Sequence, residues 1–230
     1  MFEDIAPVYD LVKSHRDYAA EADVIRDLIR QYAAGATSVL DVACGTGSLL
    51  AQLGEYERAG VDVSAPMLDH ARKKLDDAVT LHQARMEELR MPRPAVDVLL
   101  CLDGALGYVG SAALGRTFSA FARHLVPAGV LVVEPWFTPE MWEPGKTHVT
   151  HHSDGAVTVV RVGYGHPNGR IDFHTVIGTS AGLRTFDERY DFTLHTEPAM
   201  TGALHTAGFT DVRKEAAPGF GRGLLVARKR

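Results

Sequence analysis

The stretch Val39-Leu40-Asp41-Val42-Ala43-Cys44-Gly45-Thr46-Gly47, followed downstream by Gly60-Val61-Asp62-Val63-Ser64, decides the reading of this chain. A short apolar strand enters a glycine bend, and a second apolar strand ends on an acid about twenty residues later. Gly45 and Gly47 carry no Cβ, so a ligand can lie directly against the backbone. The pattern predicts a helix from Ser48 onward, whose first N–H groups would face a carboxylate or phosphate. Asp62, at the tip of the second strand, can accept hydrogen bonds from both hydroxyls of a ribose. Together the two motifs predict a nucleoside held across two strand ends.

Working outward, apolar runs predict strands at 39–43, 60–63, 79–82, 96–102 and 130–134, and helical patterns fall at 66–75 and 112–125. Ahead of them, Ala20, Val24, Ile25, Leu28, Ile29 and Tyr32 recur at helical spacing, and Gly35 ends that helix. Such alternation predicts βαβ units around a buried parallel sheet, with ligands gathering beyond the carboxyl ends of its strands. From His148 to Leu194 the texture changes to β-rich pieces at 156–162, 171–177 and 189–194, broken by Pro167-Asn168-Gly169 and Ser180-Ala181-Gly182. These predict an antiparallel insertion at about 146–196. A helix at 198–207 and strands at 210–215 and 224–228 then resume the sheet. The expected architecture is a single α/β domain over 1–230, with a doubly wound, mostly parallel seven-stranded sheet.

The bulk properties narrow the function. With 230 residues, 46% of them hydrophobic, the chain can bury one large core. A net charge of −5 gives no basic footprint for nucleic acid. The start Met1-Phe2-Glu3-Asp4 is acidic, and no apolar run approaches the roughly twenty residues that cross a bilayer. A cytoplasmic protein without a membrane partner is expected. Cys44 and Cys101 form no CxxC pair and read as small buried residues. His148, His151 and His152 lack an acidic or cysteine partner, and neighbours on a strand face opposite sides, so no metal is expected.

A dinucleotide fingerprint needs a third glycine where this chain has Leu50. Asp41 suits a ligand with an amino group or cation, or caps the bend by binding backbone N–H groups, and both readings stand open. Met67 offers a soft surface for a flat base. These choices favour S-adenosylmethionine over a nicotinamide. Asp41 with Gly45 and Gly47, and the run Asp62-Val63-Ser64-Ala65-Pro66-Met67-Leu68, resemble the first and second motifs of class I S-adenosylmethionine-dependent methyltransferases, which implies a Rossmann-like fold.

The likeness extends to Tyr9-Asp10-Leu11, Asp17-Tyr18-Ala19-Ala20-Glu21-Ala22, Phe121-Ala122-Arg123-His124-Leu125, Val133-Glu134-Pro135-Trp136 and Gly221-Arg222-Gly223-Leu224. Over nearly its whole length the chain is similar to the TDP-aminosugar N-methyltransferases of macrolide deoxysugar biosynthesis. That resemblance implies a nucleotide-linked sugar with a free amine as the small-molecule acceptor. It also implies an insertion lying over the cleft and contributing to a homodimer. The implied cofactor site comprises Tyr9, Arg16, Tyr18, Asp41, Ala43, Gly45, Gly47, Asp62, Val63, Met67, Arg85, Met86 and Leu102. Tyr9, Arg16 and Tyr18 are expected to close over the cofactor, with Arg16 on its carboxylate, against the reading of a solvated N-terminal face.

Three positions depart from the family pattern. Ala43 replaces the first glycine of the bend. Arg85, in Ala84-Arg85-Met86, stands where an acid usually meets the adenine amino group; it cannot accept, which leaves that contact to backbone groups, Glu87 or stacking. Lys13-Ser14-His15-Arg16 replaces a tyrosine-containing stretch that lies near the sugar amine. For catalysis, His124 is the expected residue to accept a proton from the amine or orient it, with a helix-end histidine as its structural reading. Asp103, beyond the fourth strand, reads as a second base or a loop cap. Trp136 reads as a stack on base or sugar or as an aromatic packed under a loop, and Arg222 as a partner of a pyrophosphate or of a surface ion pair. The rivals are methylation of another small molecule or a peptide N-terminus at nitrogen or oxygen, and a non-catalytic nucleoside-binding domain.

Overall fold

The computed structural model describes residues 2–91 and 95–230. Its helices are α1 (Tyr9–Val12), α2 (Tyr18–Tyr32), α3 (Ala65–Lys74), α4 (Leu114–Arg123) and α5 (Glu197–Thr206). Its strands are β1 (Ser38–Val42), β2 (Glu57–Asp62), β3 (Thr80–Gln83), β4 (Val96–Cys101), β5 (Leu125–Val133), β6 (Thr147–Ser153), β7 (Thr158–Gly165), β8 (Arg170–Thr179), β9 (Gly182–Asp191), β10 (Phe209–Ala217) and β11 (Phe220–Lys229).

Seven strands form one sheet in the order β10-β11-β5-β4-β1-β2-β3. β1 runs parallel to β2 and β4, while β11 is antiparallel to both β5 and β10. The chain travels from β1 to β3 at one edge, then returns to β4 on the other side of β1. Strand order therefore reverses between β1 and β4, and the crevice that such a reversal opens lies at their carboxyl ends.

Strand alternation divides the core into two layers. Leu99 and Cys101 of β4 face Phe118 and Phe121 of α4 and Met200 and Leu204 of α5. Val98 and Leu100 face Ile25, Leu28 and Ile29 of α2. With both faces covered, the central strands are apolar throughout, which is why they read as continuous hydrophobic runs. α2 begins where Asp17 accepts a hydrogen bond from the Ala20 N–H (3.0 Å), and α3 where Pro66 follows the Ser64 cap.

The expected helix after Ser48 is absent; a 3₁₀ turn at Leu50–Gln52 takes its place. Gly54 and the start of β2 at Glu57 leave no length for a helix, and Arg58 Nη1 satisfies the Leu50 carbonyl (3.0 Å). Any anion at this end of the sheet must therefore meet the bend itself.

β6 to β9 make a separate antiparallel sheet in chain order. The last of its strands covers Gly182–Asp191, earlier in the chain than the piece expected at 189–194. Val159 and Ile177 of this sheet pack on Ile5, Ala6 and Val12 of the N-terminal segment and on Met67 of α3. The N-terminal segment is thus layered between the insertion and the cofactor end of the main sheet. It is also pinned from below: Asp10 accepts from Thr46 Oγ1 (2.5 Å) and from Lys74 Nζ (2.8 Å), and Lys74 also donates to Ser48 (2.6 Å).

Candidate active site

The bend after β1 is held by its neighbour strand, because the N–H groups of Ala43 and Cys44 both donate to the Val61 carbonyl (2.7 and 3.0 Å). Ala43, Gly45 and Gly47 all take positive φ, at 66°, 55° and 73°. The alanine that departs from the glycine pattern thus adopts the left-handed conformation, at a cost of order 1 kcal/mol. Asp62 ties the second strand tip to the bend, since one carboxylate oxygen accepts from Gly45 N–H (2.9 Å) and the other from Ser64 N–H (2.8 Å). The carboxylate accepts further through its remaining lone pair. Burial raises the Asp62 pKa, and the backbone donors of Ser64, Gly45 and Val63 pull it back.

Two cavities open from these strand ends. The main one, about 270 Å³, runs from Asp62, Val63 and Met67 past Leu102 and Asp103 to Tyr108, Trp136, Phe173, Tyr190 and Phe192. A small one of about 50 Å³ lies behind the bend among Tyr9, Arg16, Tyr18, Asp41 and Gly45. Asp103 borders both. In the small cavity Asp41 is fully enclosed. Burial, reinforced by Asp62 and opposed by Arg16, pushes its carboxyl up to about 7. Burial also raises the Tyr18 phenol, to about 12, and lifts that of Tyr9 well above its usual value.

Asp103 is the hub of the charges. It sits at φ 53°, its N–H donates to Glu134 Oε2 (2.8 Å), and its carboxylate lies 2.6 Å from Lys13 Nζ and 3.2 Å from Arg16 Nη1. Burial pushes its pKa up, but Lys13, Arg16 and Arg222 outweigh that and hold it below the usual carboxylate range. Arg16 is fixed by a fork onto Glu21 (2.8 and 2.5 Å) and lies 4.9 Å over the Tyr18 ring. Tyr9, Arg16 and Tyr18 therefore gather at the small cavity.

One expected site residue stands elsewhere. His124 caps the C-terminus of α4 at the beginning of β5, and its carbonyl accepts from Val96 N–H at the beginning of β4 (2.8 Å). The cleft opens at the other end of these strands, roughly 16 Å away along β4 at about 3.3 Å per residue. Its ring serves the backbone, with Nδ1 2.7 Å from the Ala120 carbonyl and Nε2 accepting from Met91 N–H (3.1 Å). A signal was available: a residue that immediately precedes a parallel strand lies at its amino end, while ligands gather at the carboxyl end. His124→Ala is expected to cost about 1–3 kcal/mol of stability through the orphaned backbone groups while leaving kcat unchanged. A fall in kcat of more than tenfold would return His124 to the chemistry.

Arg222 stays beside the site but is committed to the protein, with Glu134 Oε1 at 2.7 Å, the Pro135 carbonyl at 2.8 Å, Asp103 Oδ1 at 4.0 Å and the Trp136 ring at 5.1 Å, and it lines a further cavity with Arg16 and Asp103. It supports Glu134 and, through it, the Asp103 loop. Trp136 does line the main cavity, stacked on Phe192 at 4.2 Å. Arg85 pairs with Glu87 (2.6 Å) at the rim near Met86, so Glu87 brings an accepting carboxylate to the base end. Cys101 is buried and Cys44 half-buried, both as free thiols. Among the described residues, no three His, Cys, Asp or Glu side chains come together as a metal site.

Sequence reasoning singled out the segment of Lys13 without giving Lys13 a partner, and it missed the aromatic wall of Tyr108, Phe173, Tyr190 and Phe192. Period-2 alternation in β8 and β9 puts Phe173 and Tyr190 on one face of the insertion. Nothing local says which face looks into the cleft.

The residues fit S-adenosylmethionine. A carboxylate with free lone pairs faces the cavity at a strand tip, apolar Val63 and Met67 flank room for a flat ring, and Arg16 and Asp41 line the enclosed end. Residues 39–129 match the model of a methyltransferase domain. The chain is 39% identical to the dTDP-3-amino-3,4,6-trideoxy-alpha-D-glucopyranose N,N-dimethyltransferase of Streptomyces venezuelae, covering 98% of both chains. The chain belongs to the family of the S-adenosylmethionine-dependent aminosugar N-methyltransferases.

Among solved structures, Streptomyces venezuelae DesVI superimposes with a TM-score of 0.91 at 36% identity, covering 98% of each chain. The S-adenosylmethionine-bound CalS10, an amino pentose methyltransferase from Micromonospora echinaspora, gives 0.83 at 30%, covering 94% of this chain and 92% of the other. This chain is accordingly an enzyme that uses S-adenosylmethionine.

Proposed function

We propose that the enzyme methylates the amine of a TDP-linked aminosugar, twice in succession, in an antibiotic pathway. The observation that carries this reading is the aromatic cavity that opens directly from Asp103, in a chain similar along its whole length to enzymes with such acceptors. When bound, S-adenosylmethionine supplies an electrophilic methyl group. The protein contributes alignment: Asp62 would hold the ribose, the bend after β1 would bear the amino-acid tail, and Arg16 would face its carboxylate. Trp136, Phe192 and Tyr190 would hold the acceptor and keep water out, and such positioning is worth several kcal/mol of barrier.

The test is mass spectrometry of dTDP-3-amino-3,4,6-trideoxy-D-glucose after incubation with methyl-labelled cofactor. Two methyl increments on the sugar nitrogen are expected; transfer only to unrelated amines or hydroxyls would reject the sugar.

We also infer a cytoplasmic homodimer. The free thiols of Cys44 and Cys101 suit a reducing compartment. Among the described residues no helix is long and apolar enough to cross a membrane. Val149, Val162 and Tyr164 leave apolar surface exposed on β6 and β7, a face suited to a second copy. Light scattering at the mass of one chain would reject the dimer.

Asp41 predicts a pH effect on binding. With its carboxyl at about 7, it holds a proton below that pH in the free enzyme. A cationic cofactor beside it favours the carboxylate, so binding at pH 6 should release a proton, and binding at pH 8 should release almost none. Calorimetry at pH 6 in buffers of differing ionisation enthalpy checks this; heats that do not depend on the buffer would exclude Asp41 as the partner of the cofactor's charge.

A further inference from the structure

The main cavity contains a primary ammonium of the protein's own. Lys13, just past α1, places Nζ 2.6 Å from Asp103 Oδ2 and 5.7 Å from the centre of the Tyr9 ring. Asp103 borders both cavities, so its carboxylate marks the junction between the enclosed end and the aromatic end.

The two partners of this ion pair are held very differently. The carboxylate is fixed: a left-handed backbone, the bond from its N–H to Glu134, and Arg16 at 3.2 Å all stay in place without Lys13. Arg16 is itself locked by Glu21 and Tyr18. Lys13 sits at the end of a flexible four-carbon stem, 22% exposed, with a carboxylate and a ring face as its contacts. A partly exposed pair of this kind is weak. With Arg16 and Arg222 nearby, Asp103 stays a carboxylate throughout the neutral range.

We propose that Asp103 receives the amino group of the acceptor, and that Lys13 occupies its place until the acceptor arrives. The exchange of one ammonium for another makes entry selective for a cationic nitrogen over a hydroxyl, because a neutral group leaves the Lys13–Asp103 pair intact. This inference rests on the amine-acceptor reading above. Recognition comes before chemistry, and the bound nitrogen must shed its proton before it can attack.

Calorimetry on the enzyme saturated with S-adenosylhomocysteine tests the exchange, with dTDP-3-amino-3,4,6-trideoxy-D-glucose and dTDP-glucose as the two probes. Lys13→Gln removes the competing charge and is expected to tighten the aminosugar about fivefold, the scale of a partly exposed ion pair, with no change for dTDP-glucose. Lys13→Arg keeps a competing charge and should retain the wild-type preference. Asp103→Asn should weaken the aminosugar more than tenfold and dTDP-glucose little. An aminosugar Kd that is unchanged or weaker in Lys13→Gln overturns the proposal, as does equal tightening of both probes. If the wild-type enzyme binds neither probe, the acceptor assignment itself falls, and the inference with it.

Discussion

Replacing Asp62 by alanine is expected to weaken S-adenosylmethionine binding by about 1.5 to 3 kcal/mol, roughly a ten- to hundredfold rise in Kd. The carboxylate has two tasks. In the proposed reading it would offer charged acceptors to the ribose hydroxyls, and in the structure it bridges β2 to the bend by accepting from Ser64 and Gly45. Alanine removes the ribose contact and leaves the Gly45 N–H without that acceptor, so the surface that bears the amino-acid tail loosens as well. Asp62→Asn keeps one oxygen and should fall between alanine and wild type. Calorimetry with S-adenosylhomocysteine, on variants whose Tm shows them folded, measures the effect. An unchanged Kd would remove Asp62 from nucleoside recognition.

Gly104→Ala is expected to destabilise the enzyme by about 2–5 kcal/mol and to raise the acceptor KM while largely sparing cofactor affinity. Gly104 takes φ 69°, where a side chain costs of order 1–2 kcal/mol. A Cβ there would lie 2.4 Å from Trp136 Cε3, within a rigid ring that cannot swing aside cheaply. Overpacking of this kind adds about 1–3 kcal/mol. Gly107 seals the other side of the cradle, with its would-be Cβ 2.8 Å from Trp136 Cβ and 2.9 Å from Phe192 Cδ1. The Trp136–Phe192 stack therefore depends on two glycines in the loop after β4, and displacing it narrows the acceptor end of the cavity. Denaturant unfolding gives the stability. A loss under 1 kcal/mol would show that Trp136 can move freely.

Much of the fold was legible along the chain because each signal was local. β1, β2 and β4 are buried on both faces and read as apolar runs, while α2 shows its apolar residues at helical spacing. Asp62 and the positive-φ glycines were legible for the same reason, since a turn and a strand tip are set by adjacent residues. The helix expected after Ser48 failed because the distance to β2 outweighed helical propensity. His124 failed for a different cause. A histidine at a helix end has the same local sequence whether it faces a ligand or a carbonyl, and only its place at the amino end of β5 separates the two.

The sequence by itself determined the α/β order, the glycine bend beside the Asp62 strand tip, and membership of a methyltransferase family, all of which follow from residues close together in the chain. Only the tertiary structure decided that Lys13 meets Asp103 across ninety positions, that Arg222 serves Glu134, and that β8 and β9 turn Phe173 and Tyr190 into the cleft. Those contacts join segments far apart in sequence. Such partners are chosen by how the layers pack, and no periodicity within a single segment records that choice.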